Sequence, residues 1–149
     1  MLPPLTFESE KTMEKYENDF YLIEYSDVHQ SLIHVSKVFH IDDHLEELNK
    51  NLLSLANKYR PRFYIADLTN ISVVDNESSF SAIKNFSRII ALNSIEKIFI
   101  CPPKKDLGNL FFELMKRKIE EITVLPDYEY VDSLDDAFLK IDTLKKSAS

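Results

Sequence analysis

The chain has 149 residues, 44% of them apolar and 29% charged, which is enough for one hydrophobic core and far from the composition of disordered proteins. A formal net charge of -7 without a long basic run disfavours nucleic acid and anionic membrane as partners, and no apolar stretch reaches the ~20 residues that span a bilayer. Gly108 is the only glycine, so the glycine-rich loops that hold phosphates or form nucleophile elbows are strongly disfavoured.

The first part of the chain is predicted to be an arm followed by a hairpin. Residues 1–15 contain two prolines and show no clear period, so we expect an arm there and a single domain over 16–149. β-branched and aromatic residues predict antiparallel strands at Tyr21–Tyr25 and Ile33–Phe39, joined by a polar connection. The sheet is therefore expected to begin with an antiparallel hairpin.

Helical and strand patterns alternate after the hairpin. Asp43 and Glu46 have the spacing of a capping box, and leucines then recur every three or four residues until Pro61. The apolar run Phe63–Ala66, followed by Asp67, is typical of a central strand that is covered on both faces. A second amphipathic helix is expected over 82–90, with Asp75 as its cap, and a buried strand at Lys97–Cys101. A third helix is indicated by a stripe of apolar residues: Leu107, Leu110, Phe111, Leu114 and Met115.

The end of the chain leaves one strand ambiguous. Either Ile122–Leu125 or Tyr128–Val131 is the last strand, and the second is favoured because Pro126 interrupts the run. Ser133 and Asp136 form a second capping box that opens a final helix. The predicted fold is α/β: an N-terminal antiparallel hairpin, then alternating helices and strands, in a mainly parallel sheet of four to five strands flanked by helices.

The element order resembles the STAS, or SpoIIAA-like, family. The resemblance covers roughly residues 20 to 145 and depends on the strand that ends at Asp67, on the segment 71–75 leading into a helix, and on the stretch 131–138 at the start of the last helix. Domains of this family are mostly regulatory binding modules, so the resemblance implies a SpoIIAA-like fold and a protein partner. It implies no catalytic activity.

The resemblance also points to the loop before the second helix as the partner surface. The family's anti-sigma antagonists have Asp-Ser-Ser-Gly there, with one serine phosphorylated, whereas this chain has Asp75, Asn76, Glu77 and Ser78. Asp75 matches, and Asn76 and Glu77 replace the two serines. Ser78 or Ser79 could accept phosphate at the helix N-terminus. The alternative is that Asp75 to Ser79 are only capping and first-turn residues.

Other residues could carry chemistry, but none has the full set that its reaction needs. His40 and His44 are four residues apart beside acidic residues, but Asp43 is better explained as a cap, so no metal site is expected. Cys101 ends a buried strand and is followed by two prolines that cannot donate to an oxyanion, which favours a structural cysteine. A phosphoacceptor receiver would need an acidic pair beside Asp67 and Lys104, and Asp27 stands alone.

Two functions follow from the sequence. In the first, the chain is a non-catalytic cytoplasmic module that presents Asp75–Ser79 to a protein partner and needs no cofactor. In the second, the same fold encloses an apolar pocket for a small or lipid-like ligand, with Phe80, Phe86, Phe111 and Phe112 as lining or, alternatively, as core. A homodimer is left open. The expected compartment is consistent with the single cysteine and with the acidic, not basic, start of the chain.

Overall fold

A computed structural model describes residues 14–37, 42–70, 84–86, 88–89, 94–104, 106–122 and 126–148. Three features of the sequence analysis therefore lie outside the described residues: the predicted strand end at Phe39, the residue His40, and the loop 75–79. So does the predicted cap at the start of the second helix.

Six strands form one sheet whose spatial order equals their order in the chain. Strands β1, β2 and β3 pair antiparallel, and β3, β4, β5 and β6 pair parallel. The α/β class and the initial hairpin are confirmed. The strands are β1 (Glu14–Glu17), β2 (Tyr21–Ser26), β3 (Ser31–Ser36), β4 (Phe63–Asp67), β5 (Lys97–Cys101) and β6 (Asp127–Tyr130).

One strand prediction needs correction and another is confirmed. The sheet has six strands instead of four to five, because β1 lies partly within the predicted arm of residues 1–15. This strand has only one apolar residue, Tyr16, so its sequence carries no strand signal of its own. The last strand is β6, which confirms the favoured alternative, whereas Ile122 belongs to a helix.

Three helices have described bounds: α1 (Asp42–Tyr59), α2 (Asp106–Ile122) and α3 (Leu134–Ala148). Helical backbone is also described at 84–86 and 88–89, where the second helix was predicted. α1 ends because Arg60 adopts a left-handed conformation, with φ of 50°. The Arg60 amide donates to the Ala56 carbonyl at 2.9 Å, and Pro61 prevents further helix.

Alternating side chains of the central strands build two cores, one on each face of the sheet. On the first face, Leu32, Tyr64 and Ile98 pack with Leu52 and Leu55 of α1, and all five are buried. Ile89 joins this cluster, so the helical residues around it cover the same face. Lys116 of α2 donates to the Tyr130 hydroxyl at 2.6 Å, which places α2 on this face as well.

α3 covers the second face. Its fully buried Ala137 and Ile141 pack with Ile33, Ile65 and Phe99 from three neighbouring strands. The far end of α3 reaches the turn between β2 and β3, where the Lys145 ammonium donates to the Val28 carbonyl at 2.6 Å. Within the described parts of the chain, no helix has both the length and the hydropathy needed to cross a membrane.

Candidate functional site

The parallel strands direct their carboxyl ends to one edge of the sheet, termed here the carboxyl edge. β3 ends at Ser36, β4 at Asp67 and β5 at Cys101, and the predicted partner loop leaves the sheet from this edge after β4. Asp75, Asn76, Glu77, Ser78 and Ser79 themselves lie outside the described residues. The part of the site that the structure describes is the stem of the loop, which ends at Asn70.

The stem that leads to this loop is fastened by side-chain and backbone contacts. The Asp67 carboxylate accepts from the Thr69 amide at 3.1 Å and from the Thr69 hydroxyl at 2.8 Å, which closes a tight turn. The Leu68 amide donates to the Cys101 carbonyl at 2.9 Å. The Asn70 side-chain amide donates to the Ser36 carbonyl at 3.3 Å. Residues 68–70 are thus held between β3 and β5 before the chain continues.

Cys101 lies beneath this stem and is fully buried. Burial raises the pKa of its thiol to about 11, and the negative charges of Asp67, Asp132 and Asp136 act in the same direction, while Lys104 opposes them. The thiol is therefore protonated at neutral pH, and a thiolate is the species that attacks. The surroundings fit a structural cysteine, as the sequence predicted, and disfavour a nucleophile.

The carboxylates near Cys101 already have structural roles. Ser133 caps α3 by accepting from the Asp136 amide at 3.1 Å, and the Asp136 carboxylate accepts from the Asp132 amide at 3.4 Å. The predicted capping box is thus present, with the return contact made one residue earlier. Among the described residues, no three His, Cys, Asp or Glu side chains are placed to hold a metal ion. The side chains of His40 and His44 are not among those described.

The receiver alternative conflicts with the positions of its acidic residues. Asp67 and Lys104 do share the carboxyl edge, where the Lys104 amide donates to the Thr69 carbonyl at 3.4 Å. Asp27 lies in the turn after β2, and the neighbouring Gln30 accepts from the Arg62 amide at the amino ends of β3 and β4. The two carboxylates therefore stand at opposite edges of the sheet, too far apart to share a magnesium ion.

A buried polar cluster at the same edge was missed from the sequence. The hydroxyl of Tyr21, a fully buried residue, donates to Glu47 of α1 at 3.0 Å, and burial together with this bond raises the tyrosine pKa. Beside it, the His34 Nε2 and the Ser36 hydroxyl are 3.3 Å apart. Tyr21 pairs directly with Ser36 across the sheet. The Tyr21–Glu47 bond holds α1 against β2. The sequence signal of the cluster is limited to polar residues at alternate positions of β3, a strand whose other residues are mostly apolar.

The phenylalanines of the apolar-pocket alternative can be placed only in part. Phe86 packs on the buried Tyr64, with ring centroids 5.8 Å apart, and belongs to the first core. The side chains of Phe80, Phe111 and Phe112 lie outside the described set. For Phe86, the core interpretation is the one that agrees with its contacts.

Comparisons with known proteins add no family. Neither the protein-family models nor the curated proteins nor the solved structures contain a match to this chain.

Proposed function

We propose that this chain is a non-catalytic regulatory module that binds a protein partner through the loop 75–79 at the carboxyl edge. One observation carries the proposal: the Asn70 side chain and the Leu68 amide fasten the stem of the loop to the ends of β3 and β5, the two strands that flank β4. A loop whose base is fixed loses less conformational freedom on binding, so the stem favours recognition by the residues that follow it.

The chemistry of the carboxyl edge supports recognition more than turnover. Its thiol has a raised pKa, the Asp67 carboxylate accepts the bonds that form a turn, and the Asp136 carboxylate accepts from the Asp132 amide beside the Ser133 cap. The described α/β architecture is also compatible with the STAS-like domains that the sequence resembles, whose function is regulation by binding. The proposal places the module in the cytoplasm, without a cofactor or a resident metal.

The test is a charge reversal in the loop with a matched reversal elsewhere. Tagged wild type, Glu77→Lys and Glu120→Lys are purified from the natural source, and co-purifying proteins are quantified by mass spectrometry. Glu120 is exposed near the end of α2, which returns the chain to the opposite edge of the sheet. We expect Glu77→Lys to lose at least about nine-tenths of a stoichiometric partner, and Glu120→Lys to retain it.

Thermal unfolding of the three proteins provides the control for folding. Glu120→Lys changes an exposed residue, and Glu77→Lys changes one that the proposal assigns to the partner surface, so both are expected to leave the midpoint within about 2 °C of wild type. Equal recovery of the partner by all three proteins removes the loop from the function. A small apolar molecule released from the native protein, without a protein partner, supports the ligand-binding alternative instead.

A further inference from the structure

The two outer strands of the sheet differ in their ability to pair with a second copy of the chain. β1 and β6 are the edge strands, and each has four residues. Among the described residues, no strand pairs with the outer side of β1. An edge strand presents backbone N–H and C=O groups that can extend a sheet, so its side chains decide whether pairing is favoured.

The hydrogen bonds within the sheet fix which residues of each edge point outward. The Asn18 amide donates to the Tyr21 carbonyl at 3.0 Å, so the hydrogen-bonded pairs of the β1–β2 ladder include Tyr16 and Glu14. The backbone groups of Lys15 and Glu17 therefore point away from the sheet. On β6, the Val131 amide donates to the Ile100 carbonyl at 2.9 Å, so Tyr128 and Tyr130 present the outward backbone groups.

This alternation limits how two copies can pair about a two-fold axis. Residues whose backbone N–H and C=O groups point away from one sheet must lie opposite such residues of the other copy. Each outer strand therefore has only two antiparallel registers in which three of its residues are paired. For β6, one register puts Asp127 opposite Glu129 of the other copy, and the other puts Glu129 opposite itself. Both registers oppose like charges, which destabilises the pair.

For β1, the two registers have opposite consequences. One puts Lys15 opposite Lys15 of the other copy and is disfavoured in the same way. The other is centred on Tyr16 and puts Lys15 opposite Glu17 at two symmetric positions, while the two Tyr16 side chains face each other. Among these four registers of β1 and β6, only this one places opposite charges across from each other.

The β1 edge is also held in place before any partner arrives. Glu14 Oε1 accepts from the Lys58 ammonium at 2.7 Å and from the Tyr59 hydroxyl at 2.8 Å, which fastens β1 to α1. Glu17 accepts from the Lys37 ammonium at 2.7 Å, next to β3. The Lys15 and Glu17 side chains remain 57% and 45% exposed, and their charged atoms are 3.9 Å apart within one chain. Both charged groups are therefore accessible to a second copy.

We propose that two copies of this chain pair through β1 in the register centred on Tyr16, forming a continuous sheet of twelve strands with Lys15 of each copy beside Glu17 of the other. A lysine on an edge strand usually discourages pairing. Here the glutamate two residues away, on the same face of the strand, supplies the complementary charge in one register.

The test uses charge exchange between two variants of the full chain. Sedimentation velocity over increasing concentration measures the association of wild type, Lys15→Glu, Glu17→Lys and an equimolar mixture of the two variants. Each variant alone opposes like charges in the proposed register, so we expect its dissociation constant to rise at least about tenfold. The mixture restores opposite charges at both positions, so it is expected to associate about as well as wild type.

A proline substitution tests the backbone hydrogen bonds of the same interface. Glu120→Lys, at an exposed position on α2 beside the opposite outer strand β6, is the control for a change of charge, and it should leave association within about twofold of wild type. Lys15→Pro removes an outward N–H but keeps every bond between β1 and β2, so it should abolish association while circular dichroism stays unchanged. A wild type that remains monomeric to high concentration, or a dimer that tolerates both single charge reversals, overturns the proposal.

Discussion

At the scale of single residues, the fold opposes protonation of the His29 side chain. Its ring stacks on Phe138 of α3 with centroids 4.2 Å apart, and its Nε2 lies 3.7 Å from the Asp142 carboxylate. Burial lowers the pKa of His29 below its ordinary value of 6.5, more than Asp142 raises it, and Lys145 also acts to lower it. The neutral imidazole is thus the form that fits between α3 and the β2–β3 turn.

This lowered pKa predicts a loss of stability in mild acid. Near and below the ordinary histidine value of 6.5, the unfolded chain binds more protons at this position than the folded chain. The contribution of His29 is therefore complete above that value and is lost as the pH falls through the lower pKa of the folded state. His29→Phe keeps the stacking and removes the titration, so its urea midpoint should fall less than that of wild type between pH 7.5 and 5.5. Equal falls in the two proteins would show that His29 does not titrate in this way.

Elements of this fold differ in how much of their stability is local. The start of α3 is stabilised by a local contact, because the Ser133 hydroxyl accepts a hydrogen bond from the Asp136 amide three residues later. We predict that Ser133→Ala lowers the free energy of unfolding by about 1 kcal/mol, the usual cost of losing a side-chain cap. Thr143→Ala is the matched control on the same helix, because its exposed hydroxyl only donates back to the Leu139 carbonyl. The control should change stability by less than about 0.5 kcal/mol in urea unfolding, and equal losses would contradict a capping role.

The same distinction explains which elements the sequence predicts. The buried stripes of α1 and α3 are visible in the sequence. Leu48, Leu52 and Leu55 recur at helical spacing in α1, and Ala137 and Ile141 do so in α3. β1 shows no such pattern, because it has a single apolar residue, and its side-chain contacts to α1 join Glu14 to Lys58 and Tyr59, more than forty residues away. A pattern within a few residues carries no information about such contacts.

The candidate site was predicted from the sequence only in part. The turn at Asp67 follows from a polar residue closing an apolar run, and it does mark the carboxyl edge from which the loop leaves. The polar cluster of Tyr21, His34 and Ser36 could not be predicted, because polar residues in a buried strand are identified only when their partners are known. The loop 75–79 stays a prediction based on the resemblance.

At the scale of the whole molecule, the two cores share the same strands. Leu32 and Ile33 are adjacent on β3, yet Leu32 belongs to the first core and Ile33 to the second. The same alternation joins Tyr64 to Ile65 on β4 and Ile98 to Phe99 on β5. A loss of packing on either face therefore disturbs strands that the other face also needs, so the molecule should unfold as one cooperative unit.

Substitutions in the two cores test this coupling. Leu55→Ala empties a fully buried site on the first face, and Ile141→Ala does so on the second. Each should lower the free energy of unfolding by about 2–5 kcal/mol. Far-UV circular dichroism and tyrosine fluorescence should still report one coincident urea transition in both variants. Leu139→Ala, at a position 67% exposed on α3, should stay within about 0.5 kcal/mol of wild type. If α3 were an independent layer, Ile141→Ala would instead separate an early transition from the main one, because the strands could keep the first core after the second had opened.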